Sequence, residues 1–99
     1  MLIHTVVFWL KKDLSQEDRK FFEIELKKLE NIPSVDHLWI GKPAPTEKRP
    51  VIDDTYDVCL TVILKDLASH DQYQEDPIHS EFIKACSRMW ERVVIYDAE

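Results

Sequence analysis

The chain has 99 residues, 44% of them hydrophobic, with 19 acidic against 13 basic side chains and a net charge of −6. A chain of this length forms one domain, residues 1–99, and buries roughly 65% of its unfolded surface, enough for a single modest core. The acidic balance excludes nucleic acid as a partner, because phosphate binding needs a basic patch, and disfavours an anionic membrane surface.

The stretch "LIHTVVFWLK" is rich in β-branched and aromatic residues and predicts a first strand from Leu2 to about Lys11. Leu2, His4, Val6, Phe8 and Leu10 share one face, and Ile3, Thr5, Val7 and Trp9 share the other, so both faces are largely apolar. The same stretch is too short to span a bilayer and lacks the basic front and small-residue cleavage site of a signal peptide, which points to a soluble cytoplasmic protein with no membrane partner. Next, "DLSQEDRKFFEIELKKLENIP" places Ser15 three residues before Asp18, a capping-box pattern, and repeats apolar residues at Phe22, Leu26 and Leu29. That predicts a helix ending before Pro33.

"SVDHLWIGK" reads as a second strand, with Val35, His37 and Trp39 alternating with Asp36, Leu38 and Ile40, and Gly41 marking its end or a bulge. Residues 43–54, with three prolines and five charges, form the one long irregular connection. "TYDVCLTVILK" is a third strand, with Tyr56, Val58, Leu60, Val62 and Leu64 on one side and Cys59, Thr61 and Ile63 on the other. "DLASHDQYQED" is a short helix capped by Asp66, which Pro77 cannot continue. Asp76 and Pro77 suit the cap and first positions of a further helix, "PIHSEFIKACSRMW", before a last strand, "ERVVIYD".

The order β-α-β-β-α-β, with its second helical segment split at Pro77, is the split βαβ pattern: a four-stranded antiparallel sheet with helices on one face. The other face is left apolar and bare, which calls for a second copy. Two sheets facing each other make an eight-stranded dimeric barrel.

His79 precedes Phe82 and Ile83 by three and four residues, so it points toward the buried stripe of its helix. The positive end of the helix dipole favours its neutral imidazole. Tyr73 lies on the preceding helix with His70, and the break at Pro77 permits phenol and imidazole to meet at one cavity. Such a pair can take a proton from carbon beside a carbonyl and stabilise the resulting oxyanion. The bland reading is that His79 caps or packs and that Tyr73 buries its ring with a wet hydroxyl. His4 is a core histidine or a ligand contact. His37, beside Trp39, is an interface residue or a second ligand contact, and Trp9 and Trp90 are packing residues. Cys59 and Cys86 show no metal-like spacing and read as two small buried hydrophobes. No HxxxH, HxH, GxSxG or glycine-rich phosphate motif occurs, so no metal and no cofactor is expected.

Taken together, "HTVVFWLK", "IPSVDHLWIGKP", "YDVCLTVILKD", "YQEDPIHSEF" and the terminal "RVVIYD" resemble the stress-responsive A/B barrel (Dabb) family over residues 2 to 97. The resemblance implies a ferredoxin-like α+β protomer, βαββαβ, forming a homodimeric α+β barrel. It implies a stress-responsive protein that binds a small apolar or polyketide-like ligand in the barrel cavity. The family also contains the plant olivetolic acid cyclase, which closes a linear polyketide thioester by intramolecular aldol condensation. Its tyrosine and histidine pair falls on Tyr73 and His79, and a pocket histidine of its first strand on His4. On that alternative His79 is the general base and Tyr73 the oxyanion donor. A third reading is a cofactor-independent monooxygenase of the related dimeric barrel fold.

Overall fold

Alternate residues of the first strand, Leu2, His4, Val6, Phe8 and Leu10, are each at most 6% exposed, and Val58, Leu60, Val62 and Leu64 of the third are drier still. A two-residue rhythm of burial belongs to a strand with one packed face. A computed structural model describes all of residues 1–99. It places strands β1 (Leu2–Leu10) and β3 (Val58–Leu64) at the centre of a four-stranded antiparallel sheet ordered β2-β3-β1-β4, with β2 (Val35–Gly41) and β4 (Trp90–Ala98) at the edges. Helix α1 (Gln16–Lys27) and a 3-10 turn, Lys28–Asn31, join β1 to β2, while α2 (Leu67–Glu75) and α3 (Pro77–Cys86) join β3 to β4. This is the ferredoxin-like α+β protomer that the element order implies.

The core sits between the helices and one sheet face. Ser15 caps α1, its Oγ accepting from the Asp18 N–H at 3.0 Å, and the helix then buries Phe22 and Leu26. Phe22 meets Phe8 and Phe82 edge-on, with ring centroids 5.2 and 5.8 Å apart, and Phe82 stacks on Trp90 at 6.0 Å. Rings at these spacings add favourable quadrupole contacts to the apolar area they bury. Cys86 lies in the same core, where burial pushes its thiol up to about 11 and leaves it unreactive near neutral pH. No helix is long and apolar enough to cross a membrane.

The other sheet face is bare. It carries Ile3, Thr5, Val7, Thr61, Ile63, Trp39 and Tyr96, of which Trp39 is 57% and Tyr96 66% exposed. The molecule is a slab of 35 × 30 × 17 Å, two layers thick. It exposes 6665 Å², whereas a globular monomer of 11.8 kDa exposes about 5,900 Å².

Several boundaries differ from the sequence reading. β3 starts at Val58 rather than Thr55 because Asp57 is spent on tying β1. The Asp57 N–H donates to the Phe8 carbonyl at 2.9 Å, and its Oδ2 accepts from the Leu10 N–H at 2.7 Å. Residues 42–57 therefore form an arm without regular structure, and Trp9 donates from Nε1 to Thr55 Oγ1 at its end. The irregularity of β2 lies between Val35 and His37, and Gly41 simply ends the strand. β1 stops at Leu10, and β4 runs from Trp90 to Ala98. Both cysteines are free, but only Cys86 is fully buried; Cys59 is half-buried on the bare face.

Candidate functional site

Two aspartates shape the segment that carries the site. Asp66 starts α2, its carboxylate accepting from the Ser69 N–H at 2.8 Å. Asp76 ends α2 and starts α3, accepting from the Ile78 N–H at 2.8 Å, with Pro77 in the first helical position. A carboxylate cap followed by proline is a favoured helix start, because proline lacks only an N–H that would have no helical partner. The chain thus changes direction between Tyr73 and His79 without a loop. Their rings meet edge to face, centroids 5.1 Å apart.

Tyr73 and His79 face a cavity of about 230 Å³ between the helices and the sheet of one chain. Its walls are largely apolar, with Val6, Phe8, Leu60, Phe82, Ile83 and Trp90 among them, and its polar groups are His4, Tyr73, Gln74 and His79. Val93 and Ile95 of β4 also line it and remain 38% and 51% exposed although they point to the helix side. Their exposure marks this edge as the mouth. Two larger clefts, of about 480 and 340 Å³, are lined mostly by charged or polar residues such as Glu17, Arg19 and Lys20, or Glu25, Lys28 and Glu81. Only the smaller cavity joins an apolar lining to convergent titratable groups, the combination that marks a small-molecule site.

Burial sets the electrostatics. Tyr73 is 1% exposed, and desolvation alone pushes its phenol far above the usual value, so it is a hydrogen-bond donor at any physiological pH. His79 is half-buried; burial first, then the nearby His4 and His70, holds its imidazole below the ordinary value, with Asp76 opposing. His79 is therefore neutral near pH 7 and free to accept a proton. His4, 2% exposed, is held by Asp97, whose Oδ1 lies 2.5 Å from Nδ1, and its ring meets Tyr73 at 5.5 Å.

This predicts a titration. Because the folded value of His79 is depressed, its neutral form stabilises the fold above the unfolded value of about 6.5, and that contribution is lost as pH falls through the lower folded value. Proton-detected titration of the imidazole gives a midpoint below the ordinary one, and the urea midpoint falls over the same interval, less so in His79→Ala. A midpoint at or above the ordinary value removes the assignment of a neutral base.

The five sequence-selected residues do not form one site. His4, Tyr73 and His79 come together, whereas His37 and Trp39 lie on the bare face, stacked on each other at 5.5 Å. Register explains the separation: Trp39 pairs with Thr61, Thr61 with Thr5, and Thr5 with Tyr96, all opposite in parity to His4. The sequence reading places the ligand in a barrel shared by two chains, whereas the cavity that Tyr73 and His79 face lies between the helices and the sheet of one protomer. Asp97 and His70 were missed. Asp97 is 93 residues from its partner His4 and nothing local marks it; the sequence shows of His70 only that it shares a helix face with Tyr73.

A family model described as the stress responsive A/B barrel domain matches residues 2–99. Among solved structures, the chain is similar to a Dabb family protein with a ferredoxin-like fold from Mesorhizobium loti, at 27% identity and TM-score 0.81, covering 99% of this chain and 94% of that one. It is similar to a hydroxynitrile lyase from Passiflora edulis, at 20% identity and TM-score 0.83, covering 98% and 90%. A dimeric ferredoxin-like protein of unknown function from Thermobifida fusca matches at 17% identity and TM-score 0.79, covering 98% and 88%. Comparison with curated proteins gives no match.

Proposed function

The chain belongs to the stress responsive A/B barrel domain family, and from that premise we propose that it binds a small, mainly apolar or polyketide-like molecule between α2, α3 and the sheet. The carrying observation is a neutral imidazole set against a buried phenol at one end of an otherwise apolar cavity. The phenol and imidazole hold an oxygen of the ligand, and the aliphatic and aromatic walls take its chain. A volume of about 230 Å³ lies below the roughly 300–1,000 Å³ of pockets for drug-sized molecules, which restricts the occupant to a short chain or a single ring.

The test uses heptan-2-one, one carbonyl on a short apolar tail. Added to the labelled protein, it shifts amide and side-chain resonances of Tyr73, His79, Ile83 and Trp90 and leaves those of His37 and Trp39 in place. Shifts confined to the bare face, or none at millimolar concentration, defeat the reading.

The same pair supports a second reading, proton transfer of the aldol-cyclase type. His79 takes a proton from carbon next to a carbonyl, and the Tyr73 hydroxyl donates a hydrogen bond to the enolate oxygen. The enolate carbon then attacks a second carbonyl, and the imidazolium returns its proton to the alkoxide formed.

We further propose that the protein is a homodimer joined through the bare sheet face. The surface in excess of a globular monomer, roughly 750 Å², is close to the 800 Å² that each partner buries in a standard interface. The Thermobifida fusca neighbour is described as dimeric, which supports a dimer.

A further inference from the structure

Three side chains from three elements converge beside the cavity. His4 projects from β1, Asp97 stands directly across the ladder on β4, and His70 reaches down from α2. Asp97 lies between the histidines, with Oδ1 2.5 Å from His4 Nδ1 and Oδ2 3.8 Å from His70 Nε2. One nitrogen or oxygen atom from each residue lies within 4.8 Å of the other two.

His70 carries the argument. Its Nε2 is buried and has no hydrogen-bond partner. Its Nδ1 sits 3.3 Å from Asp71 Oδ1, so the Nδ1 proton faces that carboxylate and the lone pair is left on Nε2. A buried lone pair then faces a carboxylate oxygen too distant for a hydrogen bond. Two acceptors turned toward each other are unfavourable unless a cation stands between them. A histidine oriented by a carboxylate on its far nitrogen is also the usual outer arrangement of a metal ligand.

We propose that His4, His70 and Asp97 form a binding site for a divalent transition-metal ion of the zinc class, held through His4 Nδ1, His70 Nε2 and an Asp97 carboxylate oxygen. Two imidazole nitrogens and one carboxylate suit zinc or cobalt and are poor for magnesium or calcium, which prefer oxygen alone. Bonds of about 2.0–2.2 Å set ligand atoms about 3.3–3.6 Å apart in a tetrahedron. The three ligand atoms lie within 4.8 Å of one another, so side-chain rotations that draw them together complete the site. Asp97 is 41% exposed, which leaves an approach from solvent, and three protein ligands leave the fourth position open.

The experiment titrates the full-length chain with Zn²⁺ by calorimetry and with Co²⁺ by visible absorption, after dialysis against chelator. One ion per chain is expected at micromolar concentration or below. His70→Ala and Asp97→Asn each weaken binding by more than the roughly 10–100-fold that loss of an outer partner costs. His37→Ala, altered on the far face, leaves it unchanged. His4 is too deeply buried for its substitution to be a clean test, and circular dichroism confirms that the other variants fold. Absence of Zn²⁺ binding at micromolar concentration, binding indifferent to both ligand variants, or binding lost in His37→Ala overturns the proposal.

Discussion

In deuterium oxide the protein is expected to exchange the hydrogens next to the carbonyl of heptan-2-one, and His79→Ala to slow that exchange by about 10²–10⁴-fold, the usual contribution of a positioned general base. The structure gives the reason. His79 is kept neutral by burial and by its two histidine neighbours, and it touches a phenol that stays protonated. A neutral base beside a fixed donor can take up the proton as imidazolium while the hydrogen bond from the phenol stabilises the enolate formed next to it. Tyr73→Phe keeps the ring and its packing and removes only the donor, with an expected loss of about 10²–10³. Alanine is a good helix former at position 79, so the melting temperature of His79→Ala stays within a few degrees of the parent. A destabilisation of several kcal/mol would instead make His79 a structural residue of the α2–α3 joint. Ligand shifts without any exchange in the parent protein would leave binding as the function and remove the proton-transfer reading.

Val7→Glu is expected to turn the homodimer into a monomer. Val7 lies on the bare face of a central strand, between Cys59 of β3 and Val94 of β4. In a single chain the new carboxylate points to water and costs the fold little. In the dimer a two-fold axis buries two such charges without partners, and an uncompensated buried charge costs about 3–5 kcal/mol. The dissociation constant therefore rises by at least about 10³-fold. Sedimentation at micromolar concentration reads the result. A parent protein already monomeric there, or a variant that remains dimeric, defeats the proposed interface.

The strand pattern made the architecture legible. Both strand faces are apolar, so the sequence announced a sheet that must be covered twice, and the split at Pro77 announced that Tyr73 and His79 could meet. It did not say which face the helices would take. Because Leu2, Val6 and Phe8 are as hydrophobic as Ile3, Val7 and Trp9, His4 could belong to either side, and His37 was grouped with it across the sheet. Parity between strands settles the matter only when the register is known, and the register depends on the irregularity between Val35 and His37. Asp57 was read as strand because its flanking residues are β-formers; its role is to replace ladder bonds with a side chain. The His4–Asp97 contact was invisible for a simpler reason, since it joins the two ends of the chain.

The sheet also acts as a partition. Along β1, His4, Val6 and Phe8 face the chamber while Ile3, Thr5 and Val7 face the proposed seam. Such a wall lets the two duties drift apart: the contents of the chamber can be retuned by changing even-numbered positions while odd-numbered ones preserve the pairing, or the reverse. A protein built this way can acquire a new guest without renegotiating its companion.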